Sequence, residues 1–139
     1  MMSATIIDSN VIIDVVEPGS QWASWSRQQI REARRYGDLI FNAIVAAEVS
    51  HEFVSAERYQ GVFVSTLWTF EDIPFEAALA AGWAHREYRQ RGGRGERTLP
   101  DFLIGAHALV SGHRLLTRDA TRYRTYFPEL EIIAPDTHP

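Results

Sequence analysis

Thr5-Ile6-Ile7-Asp8 sets a short β-branched run within ten residues of the start and ends it abruptly in acid. Such a run reads as a strand over about residues 4–8, buried on both faces as strands in parallel sheets are. Further along, similarly short apolar runs alternate with longer segments of helical period. This alternation constrains the chain more than its composition does. Short strands separated by helices are joined by crossovers, which gives an α/β domain with a mainly parallel sheet. In such a sheet the carboxyl ends of the strands line the crevice where ligands and catalytic groups gather, and Asp8 stands at that edge.

The remaining elements follow from period and punctuation. A short helical turn after Asp8 stops before Pro18-Gly19, and Ser20 is expected to cap a helix reaching Tyr36. On that helix Trp22, Trp25, Ile30, Ala33 and Tyr36 share one face, opposite Arg27, Arg31, Arg34 and Arg35. Gly37 ends it and Leu39-Ile40-Phe41 reads as a second strand. Helices are expected over 43–54 and 56–68, the second with Tyr59, Val62, Phe63 and Leu67 on its apolar side. A strand near Ile73 comes next. Phe75, Ala78, Leu79, Gly82 and Trp83 then give a helix ending near Arg91, with Trp22, Trp25 and Trp83 on core faces and Trp68 unassigned. Gly92-Gly93-Arg94-Gly95 reads as a flexible basic loop. Thr98 to Gly112 reads as a helix with proline in its first turn, Leu115-Leu116 as a strand, Asp119 to Phe127 as a helix, and Ile132-Ile133 as an edge strand.

At 139 residues the expectation is one domain, 1–139, large enough for a core. No cysteine is present, so disulfides and thiolate metal sites are excluded. No apolar run approaches the ~18 residues of a membrane span, and Asp8 interrupts the N-terminal apolar stretch; a cytoplasmic protein with no membrane partner is expected. The net charge of −4 argues against nucleic-acid binding when taken as a sum. Distribution matters more: every cation is arginine, and Arg86, Arg89, Arg91, Arg94 and Arg97 crowd one stretch. That stretch is the candidate track for an RNA backbone, with a solvated helix end as its alternative. The absence of lysine rules out a P-loop, which requires one to reach phosphate.

Four acids fall at comparable edges: Asp8, Glu48, Asp101 and Asp119. Each has a structural reading. Asp8 can form an Asx turn or cap the next helix, and Glu48 can be solvated. Asp101 can complete a capping box with Thr98, and Asp119 can be an N-cap. Strand C-termini and helix N-termini nevertheless share one edge, so all four can reach one crevice. Carboxylates within ~5 Å of each other repel unless a cation neutralises them, and hard divalent cations suit their oxygens. Asn10 and Thr117 are polar neighbours able to hold ligand or water. His107, six residues beyond Asp101, is off that acid's helix face and reads as partly buried packing, not a general base.

Ile6-Ile7-Asp8-Ser9-Asn10-Val11-Ile12-Ile13-Asp14, the acid at Glu48, Pro100-Asp101-Phe102-Leu103-Ile104-Gly105-Ala106-His107-Ala108 and Leu115-Leu116-Thr117-Arg118-Asp119 together resemble a PIN domain. The closing stretch from Tyr123 to Pro135 is similar to the VapC-like toxins of type II VapBC toxin–antitoxin pairs. The resemblance spans essentially the whole chain. It implies a five-stranded, mainly parallel sheet sandwiched between helices and a Mg2+- or Mn2+-dependent endoribonuclease. It also implies a homodimer silenced by a small cognate antitoxin. By matching position, Asp8, Glu48, Asp101 and Asp119 are the implied catalytic, metal-holding acids, assisted by Asn10 and Thr117; Asp119 is the least uniformly required. Cations held there would activate a water and offset charge on the phosphate. The rival readings are a housekeeping PIN-domain nuclease in RNA processing and a non-enzymatic α/β interaction module. Phosphotransfer domains with a strand-end aspartate resemble sites that use a lysine, which this chain lacks.

Overall fold

The structure, a computed structural model, describes residues 4–17, 19–52, 57, 63, 67–95 and 98–139. Five strands, β1 (Thr5–Ile7), β2 (Leu39–Phe41), β3 (Trp68–Phe70), β4 (Arg114–Leu116) and β5 (Ile132–Ile133), form one sheet in the order β3-β2-β1-β4-β5. Every pairing is parallel, with Ile6 opposite Ile40 on one side and Leu115 on the other. The central β1 is fully buried along its length, which is why its sequence is a continuous apolar run. The edge strand β3 is half-open, with Phe70 50% exposed.

Among the described residues six helices cover this sheet: α1 (Ser9–Val16), α2 (Ala23–Tyr36), α3 (Ala43–Glu52), α4 (Phe75–Gln90), α5 (Thr98–Ser111) and α6 (Thr121–Tyr126). Helix α5 packs along α4 and lies over β1 and β4, and its glycine Gly105 lets Phe127 and Tyr123 approach. A Cβ at Gly105 would stand 2.8 Å from the Phe127 ring. Gly112, in the left-handed region at φ 70°, ends α5, as the sequence anticipates.

Several expectations shift. The strand expected near Ile73 lies at Trp68–Phe70, where its backbone pairs with Leu39–Phe41; Pro74 instead takes the N-cap of α4. Most of the helix expected over 56–68 falls outside the described residues, as do Pro18, Phe53 and Val54. Of its apolar side, Phe63 is buried against Phe41 at 4.5 Å, while Leu67 is exposed. Ser20 does not cap α2 directly. Trp22 is its N-cap, and the Ser20 hydroxyl accepts the Trp22 N–H and donates to Asp14. Trp83 is 68% exposed, not core, because α4 buries Ala77, Ala81 and Ala84 on its opposite side. Tyr36 is likewise exposed, beneath the Arg114 guanidinium.

Candidate active site

Asp8 leaves the sheet directly at the end of β1 and is 4% exposed. It caps α1, accepting the Ser9 N–H at Oδ1 over 2.7 Å. Its other oxygen, Oδ2, accepts the Thr117 hydroxyl at 2.8 Å and the Tyr123 hydroxyl at 2.9 Å. Burial pushes the Asp8 carboxyl above its usual range, and these bonds from Thr117, Tyr123 and Ser9 pull it back. The Ser9 hydroxyl donates at 3.0 Å to Glu48, whose helix α3 starts just beyond β2, so the first two acids are tied through one serine.

Asp101 lies in the first turn of α5, where it accepts Arg122 Nη1 at Oδ2 over 2.6 Å. Its carboxyl is pushed up to about 7, first by burial and then by Asp8; Arg122 opposes the rise and Glu48 adds to it. Asp119 follows β4 and lines the same cavity. That cavity, about 680 Å³, is walled by all four acids, with Arg94 and Arg122 facing them. The sheet edge thus gathers the four acids the sequence singled out.

Their structural alternatives fare differently. The cap reading of Asp8 is correct and coexists with its place in the cavity. Asp119 is not the N-cap of α6: Ala120 is, with no side-chain cap bond. Thr98 forms no capping box with its hydroxyl, which meets His85 Nδ1 at 2.9 Å.

Asn10 and Thr117 act on the protein itself. Asn10 accepts the Arg118 N–H and donates to Thr117, and Thr117, fully buried, points its hydroxyl at Asp8. The arginine stretch divides. Arg94 reaches the cavity. Arg89 instead donates to the carbonyls of Gly93 and Gly95, and Arg91 pairs with Glu87 at 2.6 Å. Arg86 is exposed, and Arg97 lies outside the described residues. The glycine loop is pinned accordingly: Gly95 N–H donates to the Tyr88 hydroxyl, and a Cβ at Gly93 would stand 2.3 Å from the Tyr88 ring.

Ser9, Arg122 and Tyr123 escaped the sequence reading. Ser9 adjoins Asp8, and Arg122 and Tyr123 lie in the first turn of α6, just beyond Asp119. Asp14 is a further structural group that its sequence position does not reveal. It is 4% exposed and binds Ser20, Ser26 and Arg118, joining α1, α2 and the turn after β4.

His107 is fully buried, more than the sequence suggests. Its Nε2 lies 2.8 Å from Glu71, as does that of His113, so three groups with ligand atoms within 4.8 Å of one another cluster here. Asn42 argues against a cation. Its Oδ1 accepts the Val45 N–H, turning its Nδ2–H toward His107 Nδ1 at 3.0 Å. A ring that accepts at Nδ1 carries its proton at Nε2 and gives it to Glu71, leaving no lone pair for metal. Burial holds His107 below its usual pKa, in keeping with a neutral ring. The cluster braces α5 against β3 and the start of α3.

Four carboxylates thus line one cavity at the carboxyl edge of a parallel α/β sheet, the edge at which such sheets place their ligands, and together they offer an all-oxygen donor set. The chain belongs to the PIN-domain family, a family of nucleases, whose sequence profile matches residues 5–128. No curated protein sequence matches it. Solved structures do. VapBC2 from Rickettsia felis, bound to a DNA fragment from its promoter, superposes with a TM-score of 0.72 at 16% identity, over 94% of this chain and 98% of that one. DNA-bound VapBC from Salmonella typhimurium gives 0.69 at 17%, over 96% and 98%. VapC20 from Mycobacterium tuberculosis, a toxin that cleaves the sarcin–ricin loop, gives 0.65 at 15%, over 91% and 98%.

Proposed function

We propose that this protein is a Mg2+- or Mn2+-dependent endoribonuclease acting as the toxin of a toxin–antitoxin pair. The observation that carries the reading is the convergence of Asp8, Glu48, Asp101 and Asp119 on one cavity, opposed only by Arg94 and Arg122 among the described residues. Four carboxylates against two guanidiniums leave an excess of negative charge, and an all-oxygen donor set fits magnesium or manganese. Asp8, Glu48, Asp101 and Asp119 would hold such a cation, which would supply an activated water and charge stabilisation for phosphodiester hydrolysis. The chain's own residues do the rest. Thr117, Tyr123 and Ser9 hold the Asp8 carboxylate in a fixed orientation, and Ser9 couples it to Glu48. Arg122 donates to Asp101 Oδ2 and orients that carboxylate in the cavity. Arg94, on its pinned loop at the rim, supplies charge to the RNA backbone.

The toxin assignment is supported by the shared fold with VapBC proteins, and it brings a small antitoxin as partner. Self-association into a homodimer has a surface to use: Phe75, Leu79 and Trp83 stand exposed at one-turn intervals on α4. Among the described residues no helix is long and apolar enough to cross a membrane; the proposed compartment is the cytoplasm. The test is cleavage of RNA by purified protein with Mn2+, together with growth arrest on induction. Asp8→Asn should abolish both while the far-ultraviolet circular dichroism stays native. Full cleavage by that variant refutes the reading, and sequencing of RNA ends after brief induction would name the target.

A further inference from the structure

A second cavity, of about 210 Å³, adjoins the cavity of the four acids, and Asp119 lines both. Its walls include Trp22, Arg118, Thr121, Arg124 and Asp136. The flat groups among them are held in place before anything binds. Trp22 is partly buried, with the Trp25 ring at 82° to it and 6.2 Å away. The Arg118 guanidinium stands 5.7 Å from the centre of the Trp22 ring. Arg118 is fixed in turn, since its Nε donates at 2.8 Å to the buried Asp14. Arg124 donates through Nη1 and Nη2 to the two oxygens of Asp136, at 2.5 and 2.6 Å. That carboxylate takes the donor edge of the fork and leaves the plane of the guanidinium.

We infer that this cavity receives one nucleobase of the RNA, next to the scissile phosphodiester, and that Trp22 supplies its aromatic wall. The inference rests on the nuclease reading and names a determinant of substrate choice within it. Charge decides for a base and against a phosphate. Arg118 and Arg124 are each already bonded to a carboxylate, and Asp119 adds a third acid, so these walls carry no spare positive charge. An uncharged ring with polar edges suits such a place, because bases stack on aromatic rings and on guanidinium planes alike. The volume is below the ~300 Å³ of pockets for drug-sized ligands, which leaves room for one ring system. Position supplies the remaining argument. A strand whose phosphate lies among the four acids carries its neighbouring base to the wall that Asp119 shares. The Thr121 side chain, exposed at that wall, brings a hydroxyl able to meet a base edge.

The test couples the protein to the substrate one base at a time. An oligoribonucleotide with a mapped cleavage site is made with a single abasic residue at each position within two nucleotides of the cleaved bond. Cleavage with Mn2+ is measured for the wild type, Trp22→Ala, Trp22→Phe and Thr121→Phe. At one position the missing base should lower wild-type kcat/KM about tenfold, the order expected for one stacked base. Trp22→Ala should cleave the intact oligonucleotide about tenfold less well and lose almost nothing more at that position. Trp22→Phe keeps a ring and should keep part of the discrimination. Thr121→Phe alters the same wall from an exposed position, away from the core, and should also shrink it. Affinities from fluorescence anisotropy in an Asp8→Asn background, where the RNA stays whole, should follow the same pattern. Abasic penalties as large in Thr121→Phe and the Trp22 variants as in the wild type overturn the inference. So does a wild type indifferent to every abasic position, the result that a cavity kept for a protein partner would give. Either outcome leaves the nuclease reading standing, because the wild type still cleaves. A wild type that cleaves no RNA with Mn2+ removes that reading and this inference together.

Discussion

Asp101→Asn keeps the shape of the side chain and removes its charge where the acids crowd most. The wild-type carboxyl titrates at about 7 against the ordinary aspartate value of 3.8, chiefly because it is buried and because Asp8 lies near. At about 1.4 kcal/mol per unit that displacement corresponds to roughly 4 kcal/mol. The side chain is 31% exposed, so solvent screening reduces it to about 2 kcal/mol. The folded-state pKa lies above the unfolded one, so metal-free wild type loses this stability as pH rises from about 4 to about 7. Asparagine does not titrate and escapes the loss. In EDTA at pH 8.5 the variant should melt about 6 °C above the wild type, taking roughly 3 °C per kcal/mol for a domain of this size. Most of that gap should close at pH 5. Adding Mn2+ at pH 8.5 should invert the order, raising the wild-type melting temperature while leaving the variant unmoved. Thermal melting by circular dichroism at the two pH values reads all of this. A melting difference that is the same at both pH values, or a wild type more stable than the variant in EDTA at pH 8.5, would refute the reasoning.

Tyr123→Phe removes one donor from Asp8 Oδ2 and keeps the buried ring, so stability should fall by about 1 kcal/mol and RNA cleavage by roughly tenfold, measured by melting and initial rates. His107→Ala leaves a void, strands the Asn42 amide and removes one of the two histidines bonded to Glu71, with an expected loss of about 3 kcal/mol by urea unfolding. Since burial holds His107 below the ordinary histidine value of 6.5, the unfolded chain takes up the proton first, and wild-type stability should fall as pH drops below about 6.5. His107→Gln should flatten that slope. Gly93→Ala drives a methyl into the Tyr88 ring and should destabilise the loop by about 2 kcal/mol and weaken RNA binding in anisotropy titrations. Trp83→Glu should leave the melting temperature within a degree or two, because the side chain is exposed, and shift the light-scattering mass toward the monomer.

The sheet was legible because burial on both faces leaves no room for polar residues: Ile6-Ile7, Leu39-Ile40-Phe41 and Leu115-Leu116 announce β1, β2 and β4 by composition alone. The edge strand β3 was misplaced because Trp68-Thr69-Phe70 is half-open and lacks that signature, and its identity depends on pairing with β2. Trp83 misled for a related reason. Helical period shows which residues share a face, not which face is covered, and α4 buries Ala77, Ala81 and Ala84 while leaving Phe75, Leu79 and Trp83 outside. At the site, the four acids were found because strand ends and helix starts are local signals meeting at one edge. Tyr123 and Arg122 were hidden because their partners, Asp8 and Asp101, lie 115 and 21 residues away.

The structural and chemical roles of these acids are linked. An acid after a strand and before a helix is favoured by the N–H groups of the first helical turn whether or not it does chemistry. Asp8 uses that preference: the Ser9 N–H fixes one oxygen, Thr117 and Tyr123 fix the other, and the carboxylate is oriented before any cation arrives. The cap is the means by which the site acid is held, so the two roles belong to one residue. Asp101 is held by a different device. Its side-chain partner is a cation, Arg122, and its pKa is displaced to about 7. The two acids thus sit in different electrostatic settings: Asp8 is held by neutral donors on both oxygens, whereas Asp101 is bonded by a guanidinium at Oδ2.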